Sequence, residues 1–325
     1  MANAAAPALE PKKAAEHAKY YQTAVLMLLL PAALSWYYYG ATALHTLVVC
    51  VLTALASEWG IRLIFRKTML VPFDFGSVCT GAAIALMLPA NVPVYVGIGA
   101  SMFAVLVAAM PFGGVHRAPF VPAAAGMAFA VVCFKEAVFT YPAIVSSQSA
   151  PLVQGVSLAS LLSQGIGLRL DSGSMLMVVL GQIPGPMGAG GLLFLLGTLF
   201  FLLIMGKEVF ASAVGYIAGL AGFAALFPRV PTGAFNSVIL ELASGAALLC
   251  GIALIHHPGT RPKHWGWCVG FGFWAALAVM CFRRFGAYEE GAWFALLFAG
   301  ATWPILQEGL TLGWSRLMHK ELRHG

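Results

Sequence analysis

The sequence predicts an all-α integral membrane protein with about ten transmembrane helices, on the strength of its composition, its apolar run lengths and its charge distribution. Hydrophobic residues make up 60% of the 325 positions and charged residues only 9%, against about 25% charged in an ordinary soluble domain. A water-soluble fold needs polar groups to cover its surface, and this chain does not carry enough of them. A bilayer removes that need but requires every backbone N–H and C=O to be paired within the chain. Alternating strands with polar lumen faces are not visible, so helices are expected rather than a barrel.

Ten apolar segments can be drawn, at 22–40, 43–65, 76–89, 92–111, 118–134, 190–205, 208–227, 236–256, 265–282 and 290–306. The third is short and ends at Leu88-Pro89. The polar stretch 1–21 precedes the first full span and is expected to be an aqueous tail rather than a cleavable signal peptide. The longest connection, 135–189, is rich in Ser, Gly and Gln. If the N-terminal tail lies inside and the spans alternate, thirteen of the eighteen Lys and Arg residues fall on the inner side. Lys135, Arg169, Arg229, Arg283 and Arg284 are then outside. The positive-inside rule favours this drawing, with both termini cytoplasmic and the long loop outside.

The two halves also resemble each other. Thr80-Gly81-Ala82-Ala83 is echoed by Ser244-Gly245-Ala246-Ala247, and Phe112-Gly113-Gly114 by Phe285-Gly286-Ala287. With five spans per half, the second copy enters from the opposite side, which makes the repeat inverted, as in many transport proteins. The expected organisation is a tail at 1–21, a first five-helix repeat at 22–134, an outer loop at 135–189, a second repeat at 190–306 and a cytoplasmic C-terminal tail at 307–325.

Composition excludes several function classes. The net charge of +6 comes from scattered residues that read as loop anchors at lipid headgroups, so no nucleic-acid partner is expected. The six cysteines form no CxxC pair, which argues against a metal or disulfide framework. No phosphate-binding glycine loop is present. Ser172 and Ser174 have no nearby His, so no catalytic residue is nominated.

Ionisable groups inside a membrane are costly and call for a role. Glu58, late in the second segment, has Arg62 at i+4, the spacing of an intrahelical pair or of an ion site. Asp74 precedes the third segment and suits either a helix cap or ion coordination. Glu241 lies early in the eighth segment, and His256-His257 near its end, with no further ligands spaced for a metal. Gly185-Pro186-Met187-Gly188-Ala189-Gly190-Gly191 opens the sixth and allows close backbone approach.

In order, these pieces resemble the RnfD/NqrB membrane subunits of Rnf- and Nqr-type ion-translocating electron transport complexes, from about Lys19 to Glu308. The matching stretches are Asp74 to Pro93, Phe112 to Ala123, Pro184 to Gly188, Ser244-Gly245 with Pro258, and Glu290 to Ala295. The resemblance implies two inverted five-helix repeats as in urea channels, and an inner-membrane location. It also implies a non-autonomous subunit that passes electrons through flavins, beside other membrane and iron–sulfur or flavin subunits, coupled to Na⁺ or H⁺ movement. Glu58 and Asp74 match acidic positions of the family and are the residues expected on an ion pathway.

The family joins FMN through phosphate to a threonine in a Ser-Gly-Ala-Thr motif. The corresponding stretch here is Ser172-Gly173-Ser174-Met175, and a thioether forms no phosphoester. Attachment would have to shift to Ser172 or Ser174, so no covalent FMN is expected, and any FMN or riboflavin would be non-covalent. Family asparagines read Ala118 and Val121, a glutamate and hydroxyls are lost from 185–191, and Thr-Asp-Pro reads His256-His257-Pro258. The rival readings on the same fold are a flavin-free channel or transporter for a small solute or ion, and a structural scaffold for redox partners.

Overall fold

The computed structural model describes residues 11–66, 75–144, 154–167 and 172–324. The first half comprises α1 (Pro11–Tyr39), α2 (Ala41–Arg66), α3 (Phe75–Met87), α4 (Val94–Met102) and α5 (Pro122–Cys133). A π-turn at Phe103–Val107 and a 3-10 turn at Met110–Phe112 extend α4. The connection holds α6 (Lys135–Val138), α7 (Leu158–Ser163) and α8 (Ser172–Leu180). It also contains a minimal antiparallel pairing in which Tyr141 faces Gly155. The second half comprises α9 (Leu192–Met205), α10 (Lys207–Leu226), α11 (Ala234–Ala243), α12 (Ala247–Leu249, continued by a π-turn at Cys250–Leu254), α13 (Trp265–Phe285) and α14 (Ala292–His324).

Each of the ten apolar segments therefore holds helix. Length divides them. Among the described residues, four units, Ala41–Ile64, Val94–Phe112, Lys207–Leu226 and Trp265–Phe285, are long and apolar enough to cross a membrane, and α11 with α12 adds a fifth if the bent pair counts as one span. α3, α5 and α9 are shorter apolar helices, below the ~20 residues that cross a hydrocarbon core unaided. In α3 every residue from Ser77 to Met87 except Val78 is buried. A helix apolar on all sides belongs inside a bundle, and α3 packs against α1, α2 and α5.

The eighth segment departs from the sequence drawing. It is not one helix but two, bent by 73° between Ala243 and Ala247. Gly245 sits there at φ +55°, and a Cβ on it would lie 1.6 Å from Glu290 Oε2. Hydropathy does not register this break, because Ser, Gly and Ala all fit an apolar run.

Packing of α10 on α13 depends on small residues. Gly215 and Gly219, four apart on α10, face Val269 and Ala276, and Gly272 of α13 faces Ser212 and Tyr216. A Cβ at Gly215 would lie 2.4 Å from the Val269 carbonyl, and one at Gly272 would lie 2.2 Å from that of Ser212. Such small-xxx-small spacing lets backbones approach where lipid supplies no hydrophobic drive for helix association.

The halves and the connection between them meet over a buried, mainly apolar contact. The Met187 N–H donates to the Leu88 carbonyl (3.0 Å), closing the end of α3. Ser35 Oγ donates to the Met187 carbonyl (2.7 Å). Cys250 Sγ lies 3.7 Å from Met87 Sδ. Ile84, Met87, Leu88, Met187, Leu249 and Cys250 are all buried there.

Candidate functional site

Glu58 of α2 is buried, at 1% exposure. Ser77, in the first turn of α3, donates its hydroxyl to Glu58 Oε2 at 2.5 Å. Arg62, one helical turn on, pairs with Oε1. The i+4 pair read from the sequence is present, and Ser77 is a third member that the sequence reading missed. Arg62 remains 21% exposed and borders a cavity of about 490 Å³ shared with Ile61, Leu106, Met110 and Gly113-Gly114. The carboxylate thus lies one side chain away from an open vestibule. Asp74 falls outside the described residues.

A second buried ionic cluster sits at the α11–α12 break. Arg283, at the end of α13, binds the Glu241 carbonyl (2.9 Å) and Oε2 (3.0 Å) through Nη1. Its Nη2 binds the Ser244 carbonyl (2.5 Å) and Glu290 Oε2 (2.8 Å). Arg229 closes on the same Glu241, with Nη2 2.9 Å from Oε2 and Nε against Oε1. Glu290 also accepts from the Ala292 N–H that opens α14 (3.2 Å). Two arginines and two carboxylates cancel in charge, and the guanidinium satisfies carbonyls that the broken helix leaves free. This corrects the sequence drawing at two points. Arg229 and Arg283 are interior groups rather than loop anchors, and Glu241 lies near the end of α11 rather than early in a long span.

The histidine pair His256-His257 is buried at the opposite end of the second half. His257 Nε2 lies 3.3 Å from Tyr21 Oη and 3.1 Å from the Val115 carbonyl, and its Nδ1 accepts from the Gly259 N–H (3.2 Å). His257 therefore ties α1 to the turn at Val115 in the first half and to its own loop in the second. His256 accepts Tyr20 Oη at its carbonyl (3.1 Å) and meets the Tyr20 ring edge-on at 5.6 Å. Neither of its ring nitrogens has a hydrogen-bond partner among the described residues. Burying an unsatisfied polar group costs about 1–3 kcal/mol. His256→Leu is therefore expected to leave thermal stability unchanged or raised, whereas His257→Leu lowers it; thermal unfolding of the two purified variants checks this.

In the outer connection, Ser172 opens α8. Ser174 is half-buried, and Met175 is half-buried against the core. The side chain of Ser172 lies outside the described residues.

The model of the NQR2, RnfD, RnfE family matches residues 7–311. The chain belongs to that family. It is similar to the D subunit of the Na(+)-translocating ferredoxin:NAD(+) oxidoreductase complex of Acetobacterium woodii, at 27% identity over 288 residues, covering 87% of this chain and 86% of that protein. It is also similar to the D subunit of the ion-translocating oxidoreductase complex of Cronobacter sakazakii, at 27% identity with 88% and 92% covered. The corresponding protein of Shewanella amazonensis is 25% identical, with 91% and 92% covered.

Membership in the NQR2, RnfD, RnfE family makes this a membrane protein of electron and ion transport, and it sets a test for the flavin that family resemblance implies. Position 175 does not fit covalent attachment: the methionine carries no hydroxyl to esterify, and its side chain packs against the core. Glu58, by contrast, is a buried carboxylate in α2.

Proposed function

We propose that this chain is the D-type membrane subunit of an ion-translocating electron-transport complex, and that it carries no covalent FMN at position 175. The observation that carries the reading is the Glu58–Ser77–Arg62 group. A carboxylate inside a membrane bundle is a functional site by default, and this one lies behind an arginine that faces an open cavity. An ion arriving through the vestibule would reach Glu58 by competing with Arg62, and Ser77 would hold the carboxylate oriented meanwhile. Asp74, immediately before α3, belongs to the same proposed pathway. Electrons pass between neighbouring iron–sulfur or flavin subunits, and any FMN or riboflavin associated with this chain is held without a covalent bond.

In this reading the chain crosses the inner membrane ten times, as inverted repeats at 22–134 and 190–306 separated by the outer connection 135–189. Both termini are cytoplasmic, as the charge bias favours. The packing between the halves disfavours the channel reading. At the contact between the halves, where such a pore would run, Met87, Leu88, Met187 and Cys250 are packed together.

The test is the assembled complex in liposomes, driven by its own electron donor and acceptor. Glu58→Gln is expected to abolish most ion uptake while the complex still assembles. Uptake equal to wild type would remove Glu58 from the pathway.

A further inference from the structure

We propose that the corner between α1, α9 and the α12–α13 loop binds the phosphate of an anionic phospholipid. A cavity of about 390 Å³ opens there, edged by Lys19, Tyr20 and Thr23 of α1, Ile204 and Met205 of α9, and Arg261. Lys19 and Arg261 face the same space, and neither makes an ion pair with a described carboxylate. Glu208, in the first turn of α10, is bonded to neither. The neutral polar groups are already engaged: Thr23 donates to the Lys19 carbonyl (3.0 Å) and Tyr20 to the His256 carbonyl (3.1 Å). The two cations are left as donors, an ammonium with three N–H groups and a guanidinium with five.

Two features select a lipid over a free anion. The corner lies at the turn between α9 and α10, where Met205 ends one apolar helix and Lys207 begins the next, which is headgroup depth. The side of the cavity formed by Ile204 and Met205 is also apolar and open, with Ile204 64% exposed, so a chain leaving the phosphate has a surface to follow. Basic pockets between helices at the membrane interface recognise anionic headgroups in this way.

The test uses the purified full chain in nanodiscs of phosphatidylcholine with and without phosphatidylglycerol, read by thermal unfolding and by native mass spectrometry of retained lipid. Phosphatidylglycerol is expected to raise the unfolding temperature and to be retained, and the double variant Lys19→Gln/Arg261→Gln is expected to lose both effects. The variant's unfolding in phosphatidylcholine alone verifies that it folds. An equal response from wild type and variant would overturn the proposal. So would a shift produced by millimolar inorganic phosphate without anionic lipid, which would assign the corner to a soluble anion.

Discussion

Arg283→Ala is expected to destabilise the protein by about 3–5 kcal/mol, because it removes the cation between two buried carboxylates. Glu241 and Glu290 are 1% and 0% exposed. Glu241 would keep only Arg229, and the Glu241 and Ser244 carbonyls at the α11–α12 break would lose the guanidinium that now holds them. The loss therefore combines uncompensated charge with freed backbone acceptors. Arg283→Lys should fall between wild type and alanine, since an ammonium keeps the charge but cannot reproduce the planar fork that reaches both carboxylates. Thermal unfolding of the three proteins, purified in the same detergent, gives the ranking. An alanine variant as stable as wild type would show that the cluster carries no net stability.

Gly272→Ala is expected to force α10 and α13 apart. The added Cβ would lie 2.2 Å from the Ser212 carbonyl oxygen and 2.6 Å from the Tyr216 nitrogen, and backbone cannot rotate away as a side chain can. Overpacking of this kind costs about 1–3 kcal/mol and sometimes more. Gly222→Ala on α10 is the matched control, because nothing lies within 4 Å of its Cβ position. There the substitution is expected to be neutral or to stabilise by up to about 1 kcal/mol through helix propensity. The difference between the two variants isolates the steric contribution.

These two sites also mark how far the sequence could be read. Apolar runs locate all ten helical segments, because hydropathy is a local property. The Glu58–Arg62 pair was legible for the same reason, four residues being one helical turn. Ser77 was not, since its partnership with Glu58 depends on how α3 lies against α2. Arg283 was misplaced because its ligands, Glu241 and Glu290, become neighbours only once α11, α13 and α14 converge. Counted along the chain it looks like a loop cation. The bend at Gly245 was hidden in the same way: the residue reads as one more small position in an apolar stretch, and only its positive φ and the adjacent Glu290 carboxylate disclose the break. The outer connection was expected to lie outside the spans, but short helices such as α7 were not foreseen. That helix is capped by Ser157, whose hydroxyl accepts from the Ser160 N–H at 3.0 Å.

The proposed loss of covalent flavin is tested most directly by ultraviolet fluorescence of the chain after denaturing electrophoresis. The protein should be produced in cells that contain the flavin transferase of its complex and compared with a Met175→Thr variant. The wild-type band is predicted to be dark, because position 175 has no oxygen to carry the phosphoester, and the threonine variant is predicted to gain fluorescence. A fluorescent wild-type band would contradict the account, placing FMN on Ser172 or Ser174 and restoring a covalent carrier to this subunit.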